Sequence, residues 1–394
     1  MNTFFLASSF PAKDNTMRGI FNFRFVKQMH ELGEDVFVVF FRMWSPGRKL
    51  ISSYFYQEIR VTQICLPLIP FRGGVFLKIN NFICRYFGWL LLKKQLALSN
   101  IIHSVSITTN SIIAGLWAKK LNIPHIAHAI GSDVNSDLIL LGKKNFSWIK
   151  NIDGIITNSY DLEKSLKKYF PEKPEIETIY RGIEIGKLET DNDKMKKGID
   201  FLFLGGLGNK TLKYGVNTKG GVTLMEAWQK AEEELHALDS TLYFGGPESD
   251  SRLFSKWKNK LKHPDRVLLI GEIDSKDVKS YLLKVDVAVI PSMEEGLPNF
   301  LTESCASGKT AIGSTAGGIP EVIVNGETGY IFEKGNSEQL KRLLIKLANN
   351  REENKIMGIK AYARAKTSFN SDCYSKKVLK FYKKIIAQCA ELQD

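Results

Sequence analysis

From residue 3 to residue 180, short apolar runs alternate with stretches of helical spacing: FFLA, then residues 20–32, then VFVVFF, and further on HIAHA, GIITN and IETIY. Strand-length apolar runs separated by helical periods are the signature of βαβ units, which build parallel sheets. A second series begins at Phe201, with predicted strands FLFLG, TLYFGG, VLLIG, VDVAVI and TAIGS and helices such as residues 222–234 and 276–284 between them. Helical patterns over residues 337–349, 352–367 and 371–390 close the chain. Between the two series, residues 189–198 (ETDNDKMKKG) are polar and charged and read as an interdomain linker. No repeat at solenoid periods is present.

Composition agrees with two such units. At roughly 150 residues per domain, 394 residues make two or three domains, and 44% apolar with 25% charged residues is the balance of a soluble globule. The five cysteines (65, 84, 305, 373, 389) are widely spaced and contain no CxxC pair, which argues against a disulfide framework or a zinc site and for reduced thiols in a cytoplasmic protein. The opening MNTFFLASSFPAKD lacks a basic n-region and reads as a first buried strand rather than a signal peptide. The longest apolar stretch, residues 82–92, contains Arg85 and is about half of what a spanning helix needs.

Charge changes the picture in one half only. Of the net +13, residues 1–150 carry 18 Lys/Arg against 7 Asp/Glu, or +11, leaving +2 for the rest. With no nucleic-acid reader module and no Lys/Arg run longer than two, an anionic membrane surface or a phosphate-bearing acceptor suits this surplus better than nucleic acid. Residues 73–98 mix Phe76, Phe82, Tyr86, Phe87 and Trp89 with Lys78, Arg85, Lys93 and Lys94. Two readings stand for them, packed helices of the first domain or a membrane-facing surface for a lipid-linked acceptor.

Residues 286–332 carry most of the candidate chemistry. An apolar strand ends at Pro291, Gly296 and Pro298 shape a loop, and helical spacing follows from Phe300 to Ala306, with Gly308 as the stop. Loop amides and a helix N-terminus would then face a ligand above the strand's carboxyl end, where open parallel sheets bind. Glu295 on the loop and Glu303 in the helix are acceptor-only carboxylates, suited to vicinal sugar hydroxyls and unsuited to phosphate.

With its GGIPEVIVNGETGYIF continuation, this segment resembles the donor signature of the family 4 retaining glycosyltransferases, with its Glu-x7-Glu pair, and the resemblance extends over nearly the whole chain. It implies an α/β GT-B fold, two facing Rossmann-like domains with a cleft between them and a C-terminal helix packing back toward the first. The implied domains are 1–185 for the acceptor, joined by the helix at about 371–394, and 199–370 for the nucleotide-sugar donor, with 186–198 as linker. The implied reaction moves a sugar from a UDP- or GDP-linked donor to a hydroxyl of a glycan or lipid-linked acceptor in bacterial surface polysaccharide synthesis. It needs no metal or cofactor and takes place in the cytoplasm or at the inner face of the membrane.

The resemblance also assigns residues. Glu295 contacts the donor sugar, Glu303 the ribose, and the backbone at Gly296, Leu297, Pro298 and Asn299 the sugar or diphosphate. Lys219, in NTKGG, holds phosphate; a lysine at a helix start opposes the helix dipole and so calls for such a reason. Gly271, Glu272 and Ile273 flank the base. Gly19, preceded by Arg18, matches the glycine loop after the first strand. Gly205 is followed by Gly206 where the family has an arginine, and Lys210 or Lys213 of the long GNKTLKYGVNTKGG loop is the candidate replacement. Ile130 stands where the family has a histidine; Asp133 matches, and His128, two residues earlier on the same strand face, is the candidate for proton chemistry. Asp191 and Asp193 form a DxD triplet that reads as solvated linker charge rather than a metal site. A sugar-nucleotide epimerase and a nucleotide-sugar-binding scaffold without catalysis are the alternatives.

Overall fold

The computed structural model describes residues 1–12, 18–70, 74–138, 146–172, 174–189, 198–207, 212–213, 216–247 and 252–391. The chain divides into two compact units, Met1–Tyr180 with Asp372–Asp394, and Arg181–Ser371.

The first unit is an eight-stranded sheet. Its strands are β1 (Asn2–Ala7), β2 (Asp35–Met43), β3 (Ile51–Tyr56), β4 (Ile59–Leu66), β5 (Ile101–Val105), β6 (His125–Ala129), β7 (Gly154–Thr157) and β8 (Glu175–Thr178), in the order β3-β4-β2-β1-β5-β6-β7-β8. Every neighbouring pair is parallel except the β3–β4 hairpin at the edge. Alternate residues of β1 serve opposite faces, as a two-sided strand requires. Phe5 and Ala7 join the core under the Ile20–Glu31 helix, while Phe4 and Leu6 join the core under the Gly74–Ala97 and Thr109–Leu121 helices. The C-terminal helix, Ser371–Glu391, lays Tyr374, Val378, Phe381, Tyr382 and Ile385 into the first of these cores.

The second unit repeats the plan with strands β9 (Asp200–Leu204), β12 (Thr241–Gly245), β13 (Val267–Gly271), β14 (Val287–Ile290), β15 (Thr310–Ser314) and β16 (Gly329–Phe332). A two-stranded ribbon, β10 (Leu212–Lys213) with β11 (Val216–Asn217), stands apart. The main sheet is wholly parallel in the order β13-β12-β9-β14-β15-β16. Phe201 and Phe203 face the helices Gly221–Ala237 and Ser337–Asn349 through Trp228, Phe244 and Leu344; Leu202 faces Leu282 and Val285 on the other side.

In both sheets the strand order reverses beside the first strand of the unit: β1 lies between β2 and β5, and β9 between β12 and β14. Such a switch point leaves a crevice at the carboxyl ends of the strands where the connections diverge. Among the described residues no helix is long and apolar enough to cross a membrane.

Candidate active site

Three neighbouring strands of the second unit end together in glycine turns. After β9 the chain turns at Gly205 and Gly206, after β12 at Gly245 and Gly246, and after β13 at Gly271. Gly206 donates its N–H to the Gly245 carbonyl at 2.9 Å and Gly246 donates to the Gly271 carbonyl at 2.8 Å. Gly271 is half-buried, Glu272 is exposed, and Ile273 packs partly against the Leu282 cluster.

Beside this row, the 217–221 turn is pinned to the loop after β14. Asn217 accepts from the Gly221 N–H at 2.9 Å, and the Thr218 carbonyl accepts from the Met293 N–H at 2.8 Å. Gly220, at φ 72°, caps the Gly221–Ala237 helix, and a Cβ there would lie 1.7 Å from the Pro291 carbonyl oxygen. Only glycine allows this approach. The consequence is that Lys219 reaches across the turn to Glu295, 76 residues away, and the two form a direct ion pair.

Glu295 is held from several sides. Ser292 donates to the same carboxylate oxygen at 3.1 Å. Gly318 donates its N–H to the Gly296 carbonyl at 2.7 Å, and Gly317, at φ 51°, lets the strand-to-helix turn pass over the Glu295 backbone, where a Cβ would come within 2.0 Å of the carbonyl oxygen. The Glu295 side chain is 12% exposed and that of Lys219 44%, so the pair opens to solvent on the lysine side. Gly296, Leu297 and Pro298 are buried, and Pro298 caps the Asn299–Ala306 helix, whose first turn has neither an acidic residue nor a side-chain cap. The Gly221–Ala237 helix likewise starts without an acidic residue. The Gly221 N–H is taken by Asn217, and what these loops set side by side is a lysine and a carboxylate close to helix starts, an arrangement that can bind an anion and hydroxyl groups next to each other. Glu303 is half-buried in the second turn of the Asn299–Ala306 helix. Its neighbour Cys305 is buried and its thiol is pushed up to about 12, so it stays protonated and is no nucleophile.

Lys213 lies in the β10–β11 ribbon, which ends in Asn217 and so leads directly into this turn. Lys210 and the Asp191/Asp193 pair lie outside the described residues.

The residues expected from the first half of the chain sit in the first unit. Gly19, at φ 81°, caps the Ile20–Glu31 helix, and a Cβ there would lie 2.4 Å from the Ser9 carbonyl oxygen; Asn22 donates its side-chain amide to the same oxygen at 2.8 Å. Arg18 beside it is exposed. Two of the expected residues lie in the interior. Asp133 is 1% exposed, and its oxygens accept from the backbone N–H groups of Ile107 (2.8 Å), Ile130 (3.0 Å), Gly131 (2.9 Å) and Val134 (3.1 Å). Burial raises its pKa and these amides oppose the rise. With its lone pairs occupied by backbone, Asp133 clamps the 130–134 loop and is not a free acid or base. His128 is 4% exposed, donates its Nε2–H to Asn158 Oδ1 at 2.8 Å, and packs against His103 and Tyr374. It is a core histidine.

Spacing alone did not single out Ser292, Asn217, Gly220 and Gly317, which hold the acidic loop in place. The glycine pairs 220–221 and 317–318 were the available signal, since adjacent glycines outside a regular element mark close backbone passage.

The turn, the acidic loop and both helix starts fall within residues 211–364, which match the family model described as glycosyl transferases group 1. Most of the second unit belongs to that family. Among curated relatives, this glycosyltransferase is 24% identical over 382 residues to the N-acetyl-alpha-D-glucosaminyl L-malate synthase of Bacillus anthracis, covering 91% of this chain and 90% of that one. It is 25% identical over 195 residues to the capsular polysaccharide biosynthesis glycosyltransferase CapM of Staphylococcus aureus, 48% of this chain and 49% of that one. Among solved structures it is similar to HepE of Anabaena in complex with UDP, with a TM-score of 0.70 at 14% identity over 98% of this chain and 100% of that one. HepE has also been solved with UDP-glucose, with a TM-score of 0.64, 15% identity, and 100% and 99% coverage. The fold of the glycosyltransferase is therefore GT-B, with two Rossmann-like units.

Proposed function

We propose that this glycosyltransferase transfers a sugar from a nucleoside diphosphate donor to a hydroxyl of a glycan or lipid-linked acceptor in bacterial polysaccharide synthesis, with retention at the anomeric carbon. The observation that carries the reading is the Lys219–Glu295 pair, set among glycine turns and two helix N-termini at the switch point of a parallel sheet. A donor brings to this place the two groups the pair is built to exchange for. Its diphosphate takes over Lys219, and its sugar hydroxyls take over Glu295, each ion trading one charge-assisted partner for another. The half-buried Glu303 takes the ribose hydroxyls. The relatives lend support: HepE is solved with UDP and UDP-glucose, and CapM is named for capsular polysaccharide biosynthesis.

As the bond from sugar to diphosphate breaks, negative charge grows on the leaving oxygen. Lys219 and the amides that lead the two helices stabilise it where it forms, the kind of preorganised electrostatics that commonly supplies the largest catalytic term. Glu295 is engaged by Lys219 and Ser292 and is suited to hold hydroxyls rather than to attack the anomeric carbon. We therefore assign retention to attack by the acceptor from the face the diphosphate leaves, with a departing phosphate oxygen taking the acceptor proton. The donor belongs to the second unit and the acceptor to the first. The ammonium of Lys219 replaces a metal as counter-charge, and the reaction takes place in the cytoplasm, consistent with the free Cys65, Cys84 and Cys305.

A thermal-shift panel of UDP, GDP, ADP and their sugars tests the donor, since a ligand at 100 times its Kd adds about 2.7 kcal/mol. The expected result is stabilisation by one nucleotide family, followed by transfer with retained configuration in an acceptor screen. No shift with any nucleotide or nucleotide sugar overturns the reading, and inverted product overturns its stereochemical part.

A further inference from the structure

The Gly74–Ala97 helix has two apolar faces, and the fold uses one of them. Cys84, Leu92 and Leu96 are buried in the core with Trp117, and Gly88 lies so close to the Trp117 ring that a Cβ would meet it at 2.7 Å. On the other side Phe76, Ile79, Phe82, Tyr86 and Leu90 are 39% to 59% exposed. They recur at intervals of three and four residues and so form one stripe along the helix. The Phe82 and Tyr86 rings stack at 6.2 Å, and the Arg85 guanidinium lies 5.7 Å over Phe82. The apolar surface continues onto the sheet edge. Ile51 of β3 pairs with Ile64, whose side chain belongs to the core under this helix, so Ile51 and Phe55, 40% and 69% exposed, stand on the helix's side of the sheet.

Charge identifies the occupant. The helix carries Lys78, Arg85, Lys93 and Lys94 and no acidic residue; over residues 42–100 there are nine Lys/Arg and one acid, Glu58. A second copy packed symmetrically on this face would set these cations against themselves. Nucleic acid would satisfy the cations but has no apolar area to offer Ile79, Leu90 and Ile51. A bilayer with anionic headgroups satisfies both, because the aromatic and aliphatic stripe enters the headgroup boundary while long basic side chains reach the phosphates. We propose that this face of the first unit docks the enzyme peripherally on an anionic lipid surface. The proposal goes beyond the donor reading and does not depend on it.

Flotation of the full chain with vesicles, of phosphatidylcholine alone or of phosphatidylcholine mixed with phosphatidylglycerol, tests it without any donor. The wild-type chain is expected to float with the phosphatidylglycerol vesicles only and to be released by salt. Phe82→Ser with Tyr86→Ser, and separately Lys93→Gln with Lys94→Gln, should each weaken binding about tenfold or more while leaving the melting temperature unchanged, because all four side chains are exposed. A wild-type chain that leaves both vesicle types unbound overturns the proposal. So does a Phe82/Tyr86 variant that floats as well as wild type, or one whose only change is the loss of a dimer on sizing.

Discussion

Gly206 lies at φ 67°, and a side chain there would begin 2.1 Å from the Pro247 carbonyl oxygen. The arginine that the family pattern places at this point therefore has no room, so its absence follows from backbone packing. Gly206→Arg should lower stability by at least the ~1–2 kcal/mol cost of a left-handed side-chain residue and should not tighten donor binding; a variant with wild-type melting temperature and higher affinity contradicts this. The Glu295 carboxylate permits a complementary test. Glu295→Gln keeps the shape but removes the charge that holds Lys219, and transfer should fall about 10²–10³-fold with the fold intact by circular dichroism. Unchanged turnover would remove Glu295 from the site. The spacing of Glu295 and Glu303 was visible in the sequence because both flank a strand-to-helix switch. The partnership of Glu295 with Lys219 was not legible, because 76 residues of chain and three strands separate them. For His128 and Asp133 the motif was readable, but the buried Asn158 side chain and four backbone amides that occupy them belong to tertiary structure.

The C-terminal helix is tied to the sheet by a polar contact inside an apolar core. The Tyr382 hydroxyl bonds His103 Nδ1 between helix and β5, and both side chains are fully buried. Burial, then the neighbouring His128 and His125, hold the His103 pKa well below 6.5; burial lowers His125 to about 4 against the Asn151 carbonyl's opposing effect. The unfolded chain takes up these protons near 6.5 and the folded chain only at lower pH, so stability is full above about 6.5 and falls as pH drops through the window below. Melting temperature should hold from pH 7.5 to about 6.5 and decline from there to about 4.5, and a flat profile below 6.5 would show that these rings carry no protonation penalty on folding. The alternating strands and helices were readable from the 2.0 and 3.6 periods. The β3–β4 hairpin was not, because its turn runs through Gln57 at φ 52°, a conformation that turn rules assign to Asn or Gly.

Across the whole molecule, the last 23 residues belong to the unit that holds the first 180. Tyr374, Val378, Phe381, Tyr382 and Ile385 are each at most 4% exposed in its core. At roughly 1.5–3 kcal/mol per buried side chain, their loss rivals the ~5–15 kcal/mol stability of a typical domain. A chain ended after Asn370 should therefore lose the first unit's calorimetric transition and keep the second's. A truncated chain with the full-length profile would show the helix to be dispensable.

The sequence by itself determined what depends on neighbours along the chain: the βαβ rhythm, the polar break near residue 190, the basic first half, and the paired glutamates beside a glycine-rich turn. Hydrophobic period and turn chemistry act over a few residues and so can be read directly. Tertiary structure decided which of these residues are available. It joined Lys219 to Glu295, closed Gly206 to any side chain, placed His128 and Asp133 in the interior, and left one face of the Gly74–Ala97 helix uncovered. Burial and partnership between distant segments exist only once the sheets have formed, and no local pattern encodes them.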